Sequence, residues 1–279
     1  MRVGFIGLGS QGAPMARRII ESGFDTTLWA RRSATLEPFA DTAAAIATSP
    51  AALGARSDLV CLCVVSDADV REVVTGRDGV LTGMKPGGII AVHSTVHPST
   101  CRELAQRAAA QGISLIDAPV SGGGAAAAEQ HLLVMTGGPA EVVERCRPVL
   151  STYADPLVHL GEVGAGQLTK LLNNLLFTAN LATAKSLLDL GRALGIDTTR
   201  LGEVVAHGSG NSYALGSLTL LGGSLEVLTG LAGELLRKDV SLIADLTTAA
   251  GVSTGPVLHA ADSALEMMGR PRGSTDPLR

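Results

Sequence analysis

Lys170 is the residue in this sequence best suited to moving a proton. It lies in the stretch Gly164–Asn174, GAGQLTKLLNN. On a helix, Lys170 and Asn174 are four apart and share a face, with Gln167 three before Lys170 on the same side. From Gln167 onward there is no Gly or Pro until Gly191, which predicts one long apolar helix to about Leu194. Gly164 and Gly166 loosen its start and admit a second backbone at close range. Leu168, Leu171, Leu172, Leu175 and Leu176 surround the polar residues. That setting predicts a partly buried amine with its pKa lowered toward neutrality, able to give and take a proton. A solvated polar stripe is the other reading, and the leucines leave little room for it.

A second constellation opens the chain. Arg2–Gly7 reads as a short buried strand that runs into Gly7-x-Gly9-x-x-Gly12 and then a helix from about Gln11 to Ser22, stopped at Gly23. Strand, glycine turn and helix in that order form the dinucleotide fingerprint. Gly7 makes the tight turn, Gly9 lets backbone reach a pyrophosphate, and Gly12 lets the helix pack on the strand. The phosphates then meet free N–H groups at the helix N-terminus. The second strand, Thr26–Ala30, ends in Arg31, Arg32 and Ser33, with no carboxylate following it. Two guanidiniums and a hydroxyl suit a 2′-phosphate, which predicts NADP as the preferred cofactor with NAD possible. An ordinary basic turn is the plainer alternative.

These residues need a scaffold, and the hydrophobic pattern supplies one. Strand-like runs at Leu59–Val65, Gly87–Val92, Ser114–Asp117, Leu132–Met135 and Leu157–Leu160 alternate with helical runs such as Ser99–Gln111 and Ala140–Leu150. Ser99 or Thr100 is the expected N-cap of the former. The alternation predicts an α/β Rossmann-type doubly wound domain over residues 1–162, with ligands beyond the carboxyl ends of its strands. Residues 163–279 then read as an all-α domain joined through the long helix. Its helices are expected over Asp197–Ala206, Leu235–Ala250 and Pro256–Met268, with the polar loop His207–Tyr213 between the first two. Ser121, Gly122, Gly123 and Gly124 form a glycine-rich loop whose successive N–H groups can cradle an anion such as a substrate carboxylate. His93, His97, His131 and His207 read as structural or solvated.

Composition narrows the function classes. The chain has 279 residues, 46% hydrophobic and 17% charged, and a net charge of 22 − 26 = −4. No basic run marks a nucleic-acid partner, no apolar run reaches membrane-spanning length, and no leader pattern precedes the first strand. The four cysteines lack metal-binding spacing. Cys61 and Cys63 read as buried free thiols in a reducing compartment, so a cytoplasmic location is expected. The apolar helical half predicts a homodimer or homotetramer. The final segment, GRPRGSTDPLR, reads as a frayed tail.

Three motifs together resemble the β-hydroxyacid dehydrogenase family: GFIGLGxxGxPMA at Gly4–Ala16, DAPVSGG at Asp117–Gly123 and GxGQxxKxxNN at Gly164–Asn174. That family includes the 3-hydroxyisobutyrate dehydrogenases, tartronate semialdehyde reductases and glyoxylate/succinic semialdehyde reductases. The resemblance spans nearly the whole chain, with Lys238-Asp239 at the position of the family's KD pair. It implies NAD(P)-dependent interconversion of a small hydroxy acid and its oxo acid or semialdehyde, with Lys170 as the catalytic acid/base. Asn174 would orient the substrate and Lys170. Ser121, Gly122 and Gly123 would hold the substrate carboxylate, and Tyr213 would stand near the substrate tail. The cofactor would be held by Gly7, Leu8, Gly9, Ser10, Gln11 and Gly12, by Arg31 and Arg32, by Val64, and by Thr95 and Lys238 at the nicotinamide end. No metal is implied. The chain departs from the family pattern at Gln11, Ala30, Val65, Val92, Ala126 and Gln130, none of which touches the proposed proton transfer. The alternatives are a reductase of an imine or a bulkier substrate, and a dinucleotide-binding protein without turnover. The imine reductases typically lack the lysine.

Overall fold

The computed structural model describes residues 1–273; residues 274–279, the end of the tail read as frayed, lie outside them. The chain divides into two compact units, Met1–Lys170 and Leu171–Arg279. In the first, the strands are β1 (Val3–Ile6), β2 (Thr26–Trp29), β3 (Ala45–Ile46), β4 (Leu59–Leu62), β5 (Ile89–Val92), β6 (Ser114–Asp117), β7 (Val120–Ser121), β8 (Leu132–Thr136) and β9 (Ala154–His159). Its helices are α1 (Gly12–Glu21), α2 (Pro50–Ala55), α3 (Asp67–Thr75), α4 (Val80–Gly83), α5 (Pro98–Ala109), α6 (Gly123–Ala128) and α7 (Ala140–Leu150), with a 3-10 helix at Ser33–Phe39. The long helix α8 (Ala165–Ala193) begins in this unit and runs into the second, which adds α9 (Thr198–Ala206), α10 (Tyr213–Leu220), α11 (Glu226–Ala250) and α12 (Gly255–Met267).

Six strands form a parallel sheet in the order β3-β2-β1-β4-β5-β6. Strand side chains alternate between its two faces. Phe5, Leu59, Cys61, Ile89 and Ala91 pack with α1 and α7, while Ile6, Val60, Leu62, Ile90 and Val92 pack with α2, α3 and α5. Such doubly covered strands read as unbroken apolar runs, and each fully buried large side chain is worth about 1.5–3 kcal/mol. The second unit has its own core, built from Leu171, Leu175, Leu188, Leu218, Leu236, Val240 and their neighbours. The fold is thus a Rossmann-type domain followed by helices. Among the described residues, no helix is long and apolar enough to cross a membrane.

Several boundaries differ from the sequence reading. β4 ends at Leu62 rather than Val65, and Cys63–Val65 leave the sheet at its carboxyl edge. At Ala118 the chain quits the parallel sheet: Ala118 N still donates to Val92 O, but Pro119 has no N–H to continue. A separate three-stranded sheet, β7-β8-β9, follows. The glycine run is not an open loop, because α6 starts at Gly123. His97 caps α5 instead of Ser99 or Thr100, its Nδ1 accepting from Ser99 N with Pro98 in the first helical position. The helix expected from Leu235 begins nine residues earlier, at Glu226.

His93 is a buried polar residue held at both ring nitrogens. Its Nδ1–H donates to Ala118 O at 2.7 Å, so Nε2 must accept from the Tyr153 hydroxyl at 3.1 Å. Its ring stacks on Phe5. Burial pushes its pKa down to about 4. An unfolded chain takes up the proton near pH 6.5, the folded one only near 4, so stability falls as pH drops between these values. A loss of about 3 kcal/mol is expected across that window. His93→Asn, which keeps a donor toward Ala118, should flatten the curve over pH 4–6.5. Denaturant unfolding of both proteins against pH checks this, and parallel curves would remove His93 as the cause.

Candidate active site

Backbone geometry at the carboxyl edge of the sheet explains the spacing of the first glycines. Gly7 has φ +99°, and a Cβ there would stand 2.2 Å from Cys63 O. A Cβ on Gly12 would stand 2.0 Å from Gly7 O, whereas one on Gly9 would meet nothing within 4 Å. Gly7 and Gly12 are therefore glycines because protein crowds them. Gly9 faces open space, which is what the approach of a pyrophosphate needs. Leu8 is buried in the core and offers the turn only its backbone, while Ser10 is exposed. Gln11 stands at the N-cap of α1 without a capping bond, and its buried Nε2 has no hydrogen-bond partner among the described residues.

The glycine run meets this turn. A Cβ on Gly124 would stand 2.4 Å from Ser10 O, so α6 packs against the fingerprint as closely as glycine permits. Ser121 ends β7 half-buried; Gly122 and Gly123 are exposed with φ +129° and +78°.

Beyond β4 and β5 the loops are tied to one another and to α8. Val64 N donates to Ser94 Oγ at 2.9 Å. The buried Gln167 side chain donates from Nε2 to Ser94 O at 2.8 Å and accepts from Val96 N at 3.0 Å, holding the segment that carries Thr95 from both sides. Asp117, at the end of β6, accepts from Gly164 N at 2.6 Å and Gln167 N at 2.8 Å. Burial pushes the Asp117 carboxyl above its ordinary value, and these N–H groups pull it back. Gly166 lets α8 approach β8: a Cβ there would lie 2.3 Å from Met135 O. One turn further on, Lys170 is buried, with 8% of its surface exposed. The leucines around it divide: Leu171 and Leu175 are buried, whereas Leu168, Leu172 and Leu176 lie exposed along one stripe of α8.

Arg31 is exposed beyond β2, and its Nη2 donates to Asp69 Oδ1 at 2.8 Å. The absence of a carboxylate directly after β2 thus does not leave Arg31 unopposed, because the fold brings one from α3. Arg32 is exposed and has no ion pair among the described residues.

The second unit carries the remaining residues. Asn174 Nδ2 donates to Asp239 Oδ2 at 2.6 Å, and Lys238 Nζ lies 3.2 Å from Asp239 Oδ1. The buried Asp239 therefore gathers Asn174 and Lys238 about one carboxylate. Tyr213 opens α10, is 77% exposed, and rests its ring against Phe177. Among the described residues no group of three or more His, Cys, Asp or Glu could hold a metal. Local spacing does not reveal which residues Asp117, Asp69 and Asp239 hold. Asp117 opens a recognisable motif, but its partners lie 47 and 50 residues away.

Known proteins resemble this chain in sequence and in fold. The family model described as the NAD binding domain of 6-phosphogluconate dehydrogenase matches residues 2–161. The one described as the NAD-binding domain of NADP-dependent 3-hydroxyisobutyrate dehydrogenase matches residues 164–276. An uncharacterized oxidoreductase of Mycobacterium tuberculosis is 40% identical over 78% of this chain and 73% of its own. L-threonate dehydrogenase of Cupriavidus necator is 34% identical over 87% of this chain and 82% of its own. The structure of Mycobacterium tuberculosis 3-hydroxyisobutyrate dehydrogenase with L-serine superimposes with a TM-score of 0.84 at 27% identity, covering 96% of this chain and 94% of that one. With two family models in tandem, relatives this similar and the glycine geometry that a dinucleotide requires, the chain belongs to the β-hydroxyacid dehydrogenase family.

Proposed function

We propose that this chain is an NAD(P)-dependent oxidoreductase that interconverts a small hydroxy acid and its oxo acid or semialdehyde, with Lys170 donating and accepting the proton. The observation that carries the reading is the anchored start of α8. Asp117 and Gln167 fix the first turn to the loops beyond β5 and β6, and the buried Lys170 follows one turn later. An ammonium there stabilises the charge that develops on a carbonyl oxygen and delivers a proton to it; in the reverse direction the amine removes one from the hydroxyl. The nicotinamide dinucleotide supplies or accepts the hydride. Gly7–Gly12 would hold its pyrophosphate, supported by the open space at Gly9. Val64, Thr95 and Lys238 are assigned to its nicotinamide side, and Arg31 and Arg32 to a 2′-phosphate, with NADP preferred.

Ser121 and the Gly122 and Gly123 amides are assigned to the substrate carboxylate, Asn174 to substrate orientation and Tyr213 to the substrate tail. The relative named for L-threonate, itself a hydroxy acid, supports this substrate class. Lys170 weighs against imine reduction and against a protein without turnover. We assign residues 1–162 to cofactor binding and 163–279 to substrate binding and assembly, as a homodimer or homotetramer. Four free cysteines accord with a reducing cytoplasm.

Three outcomes are expected. Lys170→Ala should lower kcat by about 10²–10⁴-fold while cofactor affinity survives, and Lys170→Arg should fare almost as badly, because a guanidinium does not cycle its proton near neutral pH. Steady-state rates on a panel of small hydroxy acids and semialdehydes, with cofactor titrations, measure both; near-normal kcat in the alanine variant ends the proposal. The assembly should sediment as a dimer or larger, since Leu172, Leu176, Leu190, Leu194, Leu220 and Leu231 are exposed on the second unit. A monomer at micromolar concentration in light scattering would count against it.

A further inference from the structure

We propose that Asp69 is a specificity-determining residue, which weakens this chain's discrimination in favour of NADP by holding Arg31 in an ion pair. The inference rests on the assignment of Arg31 to the 2′-phosphate and adds a residue that opposes it.

The pair is built asymmetrically. Asp69 lies in the first turn of α3, and both its carboxylate oxygens are engaged. Oδ2 accepts from Ser66 Oγ at 2.7 Å, and Oδ1 accepts from Arg31 Nη2 at 2.8 Å. Ser66 is also the N-cap of α3, its Oγ accepting from Asp69 N at 3.1 Å. The acid is therefore fastened to a helix start, whereas Arg31 reaches it from an exposed turn with 68% of its side chain open to solvent. The Arg31 and Ser66 hydrogen bonds hold the Asp69 carboxyl below the usual carboxylate range, so it is ionised at neutral pH.

Position gives the pair its consequence. β1 lies between β2 and β4 in the sheet. Arg31 follows β2, and Asp69 sits on the helix after β4. Their contact thus joins the turn after β2 to the start of α3, on either side of the fingerprint turn at the end of β1, where the adenosine half of a dinucleotide lies in such folds. A 2′-phosphate entering there meets a guanidinium already neutralised by one carboxylate, and meets that carboxylate's repulsion as well. A ribose 2′-hydroxyl has no charge to repel and can donate to the same carboxylate. One pair therefore offers a partner to each cofactor: Arg31 to the phosphate, Asp69 to the hydroxyl. An acid directly after β2 would favour NAD, and a lone arginine there would favour NADP. Arg31 with Asp69 combines the two.

The test is calorimetric titration of NADP⁺ and NAD⁺ into the wild type, Asp69→Asn, Arg31→Ala and the double variant. Asparagine preserves shape and removes the charge; its one oxygen can still accept from Ser66, and its NH2 group no longer accepts from Arg31. Asp69→Asn should raise the NADP⁺-to-NAD⁺ affinity ratio by about fivefold, the scale of an exposed ion pair, and added salt should shrink the gain. In the Arg31→Ala background the gain should be smaller, since no guanidinium remains to be released. If Arg31→Ala weakens NADP⁺ but Asp69→Asn leaves the ratio unchanged or lowers it, Asp69 only positions Arg31; the inference is overturned and the role of Arg31 stands. If Arg31→Ala leaves NADP⁺ affinity unchanged, the assignment of Arg31 fails and the inference fails with it.

Discussion

The buried carboxylate of Asp117 is the constraint on which the candidate site depends. It ends a strand, lies fully out of solvent, and faces the unsatisfied N–H groups of the first turn of α8. Each party needs the other. A buried charge without partners costs several kcal/mol, and a helix start without acceptors leaves orphan donors. Paired, the carboxylate also meets the positive end of a helix of 29 residues. The helix direction, and with it the position of Lys170, follows from this one contact. Gln167 extends the constraint sideways, because its amide satisfies one acceptor and one donor of the Thr95 loop.

Glycines set the remaining distances. Gly12 against Gly7, Gly124 against Ser10, and Gly166 against Met135 each mark a place where a Cβ would fall within 2.4 Å of a carbonyl oxygen. Three helices are thereby seated closer to their neighbours than any side chain allows. Gly9 is the contrast: nothing in the protein lies within 4 Å of where its Cβ would stand, which leaves its backbone open to close approach. Crowded and open glycines thus stand side by side within one short motif.

A carboxylate organises the polar residues at three separate places. Asp117 holds the start of α8, Asp69 holds Arg31, and Asp239 holds Asn174 and Lys238. At Asp69 and Asp239 an acid fixed in a helix restrains the longer side chains of Arg31 and Lys238, which limits the rotamers those side chains must lose when a ligand arrives. Asp69 differs from the other two in standing at the surface, where its charge can act on an incoming anion.

The strand, glycine turn and helix at Val3–Glu21, the alternation of β and α to His159, and the long helix with Lys170 were legible in the sequence. Each is written in local spacing, with apolar runs for doubly covered strands, glycines at turns, and uninterrupted helix formers after Gly166. The order of strands in the sheet, the second small sheet after Pro119, and the partners of Arg31, Asn174 and Gln167 came only from the tertiary structure. Arg31 shows why. Its neighbours in sequence are Ala30, Arg32 and Ser33, and none is acidic, so by spacing alone it is an unopposed cation. Asp69 is 38 residues away and reaches it only because β4 pairs with β1 on the side opposite β2. Local pattern determines which residues form an element, because that choice rests on contacts a few residues apart. Which charge faces which is decided by the packing of elements, whose contacts carry no trace in the spacing of either partner.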